Sequence, residues 1–398
     1  MNQTPTPSPA PTSGQLDSER LAALTLQRLP GLGPVLAGRL VERFGSPERA
    51  LEASPAAMSE IRGIGQGRAR AATEGRRRAE REAERELRRA ADLGATLCTP
   101  ADPDYPSLLR ELPDRPIVLS ILGELTERDD ASVAIVGSRR CTHYGLEQAG
   151  RFGAAMGTAG LTVVSGGARG IDSAAHRGSL GANGRTVAVL GSGLGRPYPP
   201  ENKDLFARIG SSSTGGAVVS ELPIDAPPEP TNFPARNRII SGLSLGVLVI
   251  EAGRQSGALI TARVAAEEQG REVMAIPGRI DSAESLGSNA LLRDGATLVT
   301  EPGDVIAALE PQARHAHQGT RAERFAPSPP AGEPDAAPAP NPDGPPGRLL
   351  ETLTEPLDME SLIERSGLSG AEVRVHLTTL ELAGLVRRRG TMLERARG

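Results

Sequence analysis

The sequence predicts a doubly wound, mostly parallel α/β sheet, preceded by a small all-helical unit and followed by a winged-helix unit. Three observations predict it. Short runs rich in β-branched residues alternate with helical sequence between residues 132 and 300. A Gly-x-Gly hairpin pattern occurs twice between residues 29 and 70. Two helical stretches and a basic, strand-like segment close the chain at 359–393.

Composition sets the boundaries. Residues 1–16 are rich in Pro, Thr and Ser and read as a disordered tail, and 315–345 lack Leu, Ile and Val and read as a disordered linker. Between and beyond them lie three folded parts: 17–92, helical; 93–314, alternating strands and helices; and 346–398, the winged helix.

In the first part, Leu29-Pro-Gly-Leu-Gly-Pro-Val-Leu-Ala-Gly-Arg-Leu40 and Ile61-Arg-Gly-Ile-Gly-Gln-Gly-Arg-Ala-Arg70 each have helix-hairpin-helix form. Such a turn offers backbone amides to a DNA phosphate without reading bases, and it serves equally as a packing or protein-contact module. Both readings stand. The run Arg76–Arg89 interleaves signs, with Glu84 and Arg88 four apart, and reads as a solvated helix face.

In the middle part the strand candidates are Ser132–Val136, Leu161–Val164, Thr186–Leu190, Gly216–Ser220, Gly246–Ile250, Glu272–Ile276 and Thr297–Thr300. Most are continuous apolar runs, as expected of parallel strands covered on both faces. Ligands of such sheets bind outside the carboxyl ends of the strands. Three glycine turns fall there: Val136-Gly-Ser-Arg-Arg-Cys-Thr-His-Tyr-Gly145, Ser165-Gly-Gly-Ala-Arg-Gly170 and Gly191-Ser-Gly-Leu-Gly195. A single turn of this kind is ordinary turn chemistry. Three on one edge form a place for anions, because converging amides with no Cβ in the way favour a phosphate. Neither a dinucleotide GxGxxG followed by an acidic residue nor a GxxxxGK[ST] is present.

Cations follow the turns: Arg139 and Arg140, Arg169, then Arg196 and Lys203. The loop Asn232–Ser241 adds Arg236, Asn237 and Arg238, and Arg254 follows the strand at 246–250. So many charges along one edge predict a groove that tracks several phosphates, with Tyr198 and Phe233 available to stack on bases. The competing reading is a set of solvated charges paired with Glu201, Asp204 and Glu251.

The last part reads as helix Met359–Ser366, longer helix Ser369–Ala383 with Ser369 as N-cap, and a strand pair turning at Gly390 with Arg387, Arg388 and Arg389 in the wing. Glu372 and Glu381 on the second helix weaken a recognition-helix reading, so a partner-binding or structural wing stands beside it.

The net charge of −4 does not decide whether nucleic acid binds, because local clusters do. Two cysteines, Cys98 and Cys141, and five scattered histidines lack ligand spacing, so no metal is expected. No Ser/His/Asp order or carboxylate pair stands out, and no enzymatic chemistry is expected. The N-terminus lacks signal-peptide features, and no apolar run approaches the roughly 20 residues that span a bilayer. A cytoplasmic protein without a membrane partner is expected.

Taken in order, Gly137-Ser-Arg139, Ser165–Asp172, Tyr198-Pro-Pro-Glu-Asn202, Phe233-Pro-Ala-Arg-Asn-Arg-Ile-Ile-Ser241, Ser256-Gly-Ala-Leu-Ile-Thr-Ala262 and Ile276-Pro-Gly278 resemble the DprA/Smf DNA-processing family over about 93–310. The resemblance implies an extended Rossmann domain that binds single-stranded DNA, forms a homodimer, and protects incoming strands while loading the RecA recombinase during natural transformation. Single-strand-binding protein is a further partner it suggests, and it implies neither catalytic turnover nor a cofactor. By motif it assigns Gly137, Ser138, Arg139, Arg140, Gly166, Gly167, Arg169, Gly170, Asn202, Lys203, Phe233, Arg236, Asn237, Arg238 and Arg254 to the DNA groove. Many relatives carry a basic residue where this chain has Pro200, leaving Lys203 to supply that charge. The alternative is a Rossmann enzyme cleaving the N-glycosidic bond of nucleoside monophosphates, with Glu251 as catalytic carboxylate and Arg254 as phosphate anchor. That family's Pro-Gly-Gly-x-Gly-Thr signature is absent.

Overall fold

The structure is a computed structural model describing residues 13–211, 215–317, 344–369, 373, 376, 377, 380, 385–389 and 392–395. The chain divides into two compact units, Met1–Arg324 and Phe325–Gly398. The N-terminal helices and the sheet therefore belong to one unit.

Five helices begin that unit: α1 (Ser13–Arg28), α2 (Pro34–Phe44), α3 (Pro47–Glu52), α4 (Pro55–Ser59) and α5 (Gln66–Leu93). Proline opens α2, α3 and α4, where its missing N–H costs nothing, and Ser46 and Ser54 cap α3 and α4. The buried face of α5 is a stripe of Ala69, Ala72, Ala79 and Ala83, small enough for close packing. Its outer face is the interleaved run, with Arg76–Glu80 at 2.9 Å and Arg78–Glu82 at 2.8 Å. Glu86 departs from that reading. It is buried, pairs with Arg28 at 2.6 Å, and accepts the Ile224 backbone N–H at 2.6 Å. Beside it Arg89 grips Asp225 through two bonds of 2.8 and 3.0 Å. Helix α5 thus braces the 224–226 loop, whose Ala226 and Ile224 carbonyls accept the Gly193 and Gly195 N–H groups of the third glycine turn.

The sheet comprises β1 (Thr96–Cys98), β2 (Leu119–Gly123), β3 (Ser132–Val136), β4 (Thr162–Ser165), β5 (Thr186–Val189), β6 (Ala217–Ser220), β7 (Gly246–Val249), β8 (Glu272–Ala275) and β9 (Thr297–Leu298), in spatial order 1-2-6-5-4-3-7-8-9. Strands β3 to β9 pair in parallel, whereas β1 and β2 add antiparallel to the β6 side. These two antiparallel strands are additions to the predicted set. Intervening helices are α6 (Ser107–Arg110), α7 (His143–Thr158), α8 (Ile171–Gly181), α9 (Lys203–Ile209), α10 (Asn232–Gly242), α11 (Gly257–Arg263), α12 (Leu286–Arg293) and α13 (Pro302–His317).

Alternation along β3 sends Val133 and Ile135 into a cluster with Phe152 and Met156 of α7, and Ala134 and Val136 into one with Ile239 and Ile240 of α10. Both faces of the sheet are therefore covered. Helices α7 and α8 approach so closely that a Cβ at Gly153 would stand 2.2 Å from the Ala175 carbonyl oxygen. The chain runs outward from β3 through β4, β5 and β6, then returns to place β7 on the other side of β3. The switch point, where two loops diverge and leave a crevice, lies between β3 and β7.

In the second unit, α14 (Pro345–Thr352) and α15 (Met359–Ser366) pack with Leu349, Leu362, Val373, Leu377 and Leu380. The Val373 N–H donates to the Ser369 carbonyl at 3.0 Å, as at a helix start. The wing is β10 (Val386–Arg389) paired antiparallel with β11 (Met392–Arg395). Arg387 is exposed, 3.8 Å from Glu394. Glu372, Glu381 and Gly390 lie outside the described residues, as do the side chains of Arg388 and Arg389.

Candidate nucleic-acid interface

At the carboxyl edge the first two glycine turns touch backbone to backbone, and the third joins them through the ring of Phe233. Gly170 has φ +76°, and a Cβ there would stand 2.4 Å from the Ser138 carbonyl oxygen, so the turn after β4 lies directly on the turn after β3. The Ser138 N–H donates to the Glu251 carbonyl at 2.7 Å, tying the β3 turn to the end of β7. Gly191, in the third turn, lies under the ring of Phe233, with a Cβ predicted 2.6 Å from a ring carbon.

A cleft of about 770 Å³ opens at the switch point, lined by residues including Ser138, Arg139, Arg140, Phe233, Asn237, Gln255 and Thr261. A small hollow adjoins it and shares Arg139, Ala168, Tyr198, Phe233 and Arg236, with Arg169 at its far side. Along this wall cations and rings alternate. The Arg139 guanidinium stands 4.9 Å from the Phe233 centroid, Phe233 is 5.9 Å from Tyr198, and the Arg169 guanidinium is 5.5 Å from Tyr198.

The predicted cations divide into two groups. Arg139, Arg140, Lys203 and Arg254 are exposed and form no ion pair among the described residues. Arg254 sits between two cleft-lining residues, and Lys203 opens α9. The other group is engaged with protein. Arg169 is held by the Glu201 carboxylate through Nε and through Nη2 at 3.0 Å, and donates to the Tyr198 hydroxyl at 3.2 Å. Its own backbone N–H, and then Arg169, hold the Glu201 carboxyl below the usual range.

Arg236 is buried, donating from Nη1 to the carbonyls of Gly166 at 2.7 Å and of Val189. Burial pulls its pKa down to about 10, against the opposing pull of Asp172. Arg238 is also buried and pairs with Glu221 at 2.6 Å and Asp114 at 3.2 Å, so it braces the β6 side instead of lining the cleft. Asn202 is buried too: its Nδ2 donates to the Gly167 carbonyl at 3.0 Å, which fixes the second turn. Asn237 lines the cleft and reaches the Gly257 carbonyl at 3.3 Å.

One cation escaped the sequence reading. Arg177, exposed on α8, donates to Asn202 Oδ1 at 3.2 Å and so stands beside Lys203. Its position two turns into the helix that leaves the second glycine turn was the available signal. As for Glu251, its two oxygens accept the Thr142 N–H at 2.7 Å and the Thr142 hydroxyl at 2.8 Å, which spends the carboxylate on capping α7.

The parallel sheet, its switch-point cleft and a cationic rim define a Rossmann-like protein with a cation-lined cleft at its carboxyl edge. The family described as DNA recombination-mediator protein A matches residues 96–310, the DprA winged helix domain matches 333–390, and a SAM-like helix-hairpin-helix tandem matches 23–77. The chain belongs to this DprA/Smf family. It is 39% identical to protein Smf of Synechocystis over 74% of this chain and 73% of the relative. It is 42% identical to protein Smf of Escherichia coli over 72% and 74%. The X-ray structure of DNA processing protein A from Streptococcus pneumoniae superposes with a TM-score of 0.62 at 34% identity, covering 71% of this chain and 95% of that one.

Proposed function

We propose that this protein binds single-stranded DNA along the carboxyl edge of its sheet, shields the incoming strand and delivers it to the RecA recombinase during natural transformation. One observation carries the reading: the Arg139–Phe233–Tyr198–Arg169 array beside exposed Arg140, Arg254 and Lys203, which form no ion pair among the described residues. Alternating cations and aromatic rings suit a flexible strand, whose phosphates and bases alternate in the same way. A duplex hides its base faces and gains only from the cations. The glycines Gly137, Gly166, Gly167 and Gly170 act by letting the turns close on one another, and Arg236, Arg238 and Asn202 act by holding that edge rigid.

Action without turnover and without a cofactor, in the cytoplasm, belongs to the same proposal. The engagement of Glu251 with Thr142 argues against the nucleotide-cleaving alternative, since that carboxylate is not free to attack or protonate a substrate. A homodimer is part of the proposal as well. Leu298 on the terminal strand β9 and Ile306 on α13 are 54% and 44% exposed, two apolar side chains that a second copy can cover.

The test is a competition between single- and double-stranded oligonucleotides for the full chain at two salt concentrations. Preferential single-strand binding that weakens with salt supports the reading. Equal affinity for duplex, or insensitivity to salt, overturns it. Recombinase loading is tested by filament nucleation on strands coated with single-strand-binding protein, where this protein must shorten the lag.

A further inference from the structure

The described aromatic side chains are few, and each but one has a place. Tyr105, Phe152 and Phe206 are buried, Phe44 is half-buried, and Phe233 and Tyr198 belong to the cleft array. Tyr144 is 47% exposed. It sits in the first turn of α7, whose inner face is Gly145, Ala149, Phe152, Gly153 and Met156, so packing does not account for a ring at 144. The hydroxyl makes no hydrogen bond among the described residues. A half-exposed tyrosine that the helix core does not use leaves a ring face open to a ligand, as tyrosines at interfaces do.

Its surroundings suit a nucleic acid. The α7 N-terminus is fixed at the end of β7 by the Glu251 carboxylate on Thr142, which makes the turn carrying Tyr144 a firm base. Arg140, four residues earlier, lines the cleft, and Arg254 lies three residues beyond Glu251; both are exposed and without an ion pair among the described residues. Arg140 and Arg254 thus bring two guanidinium groups without an ion pair among the described residues to the β3/β7 side, and a half-exposed ring follows two residues after Thr142, the same combination of cation and aromatic as on the Phe233–Tyr198 side.

We propose that Tyr144 is a further stacking platform, on which a nucleobase lies where the strand continues past Arg140 and Arg254. This rests on the reading of the cleft as a single-strand groove. It extends the footprint across the switch point and makes it sequence-tolerant there, because every base has a face to offer.

The chain contains no tryptophan, so Tyr144→Trp introduces one indole with no background. Addition of oligothymidylate must quench that fluorescence, whereas an abasic deoxyribose-phosphate strand of equal length must leave it unchanged. Tyr144→Ala must bind oligothymidylate roughly tenfold more weakly, with its affinity for the abasic strand unaltered, while Tyr144→Phe keeps wild-type affinity. Circular dichroism confirms that each variant is folded. Wild-type affinity in Tyr144→Ala, or an indole that oligothymidylate does not quench, overturns the inference while leaving the groove intact. If wild-type protein fails to bind oligothymidylate at all, the groove reading falls and the platform falls with it.

Discussion

The guanidinium of Arg139 stands 4.9 Å from the ring centroid of Phe233. That ring also rests on Gly191, so one aromatic joins the first glycine turn to the third. Substituting Gly191→Ala would bring a methyl 2.6 Å from the ring and force Phe233, and with it Arg139, out of place. We expect a stability loss of about 1–3 kcal/mol from overpacking, together with weaker oligonucleotide binding. Phe233→Leu relieves the crowding but removes the stacking face, and should lose affinity with little change in melting temperature. Anisotropy titrations and thermal melts on the two variants separate these effects.

Arg236 presents a different failure. Its guanidinium serves the Gly166 and Val189 carbonyls and faces the buried Asp172, so Arg236→Met takes a donor from both carbonyls and the nearby positive charge from a carboxyl that keeps only its backbone N–H bonds. Removing one member of a buried charged group costs about 3–5 kcal/mol. The expected result is a large fall in melting temperature. Wild-type melting with lost DNA binding would instead assign Arg236 to the groove surface.

Glu201 occupies the fork of Arg169, and both side chains are about half exposed, at 49% and 48%. A pair so open to solvent is held weakly and can be exchanged for a phosphate. Glu201→Gln should therefore tighten oligonucleotide binding and steepen its salt dependence. Glu229→Gln, the same charge change on an exposed residue in the 228–230 stretch, is the control and should do less. Equal gains in both would reduce the effect to net charge.

His176 gives a pH signature. The Thr186 hydroxyl donates to the Val163 carbonyl at 2.6 Å, so it accepts from His176 Nδ1–H at 2.7 Å, and Nε2 is buried with no hydrogen-bond partner among the described residues. Burial lowers the pKa from 6.5 to about 3. Below pH 6.5 the unfolded chain takes up a proton that the folded chain refuses, so stability falls with falling pH by about 1.4 kcal/mol per unit. In His176→Gln that contribution is absent. Denaturant melts should show the wild-type-minus-variant difference flat above pH 7 and declining from pH 6.5 downward; a flat difference throughout would show that His176 protonates freely in the fold.

Most of the sheet was legible because β-branched runs such as Ser132–Val136 and Gly246–Val249 are buried on both faces and need no alternation to be seen. Strands β1 and β2 were not, since Thr96–Cys98 is too short for a pattern and Leu119–Gly123 sits in a proline-rich stretch. The glycine turns were legible in sequence, and the structure brings them to the carboxyl edge of the sheet. What could not be read was which cations face outward. Arg236 and Arg238 are turned inward by Gly166, Val189, Glu221 and Asp114, partners 17 to 124 residues away that only the folded sheet assembles. Arg177 was passed over for the converse reason: its neighbour Asn202 comes from the following helix-turn segment.

The most direct measurement is the binding of oligothymidylate to the wild-type chain and to Arg139→Glu across a salt series. A phosphate-tracking groove predicts that log K falls linearly with log salt, by about 0.7 per phosphate neutralised. It also predicts that Arg139→Glu binds at least tenfold more weakly with a shallower slope and an unchanged melting temperature. Binding that ignores salt, or an Arg139→Glu protein that titrates like wild type, would contradict it.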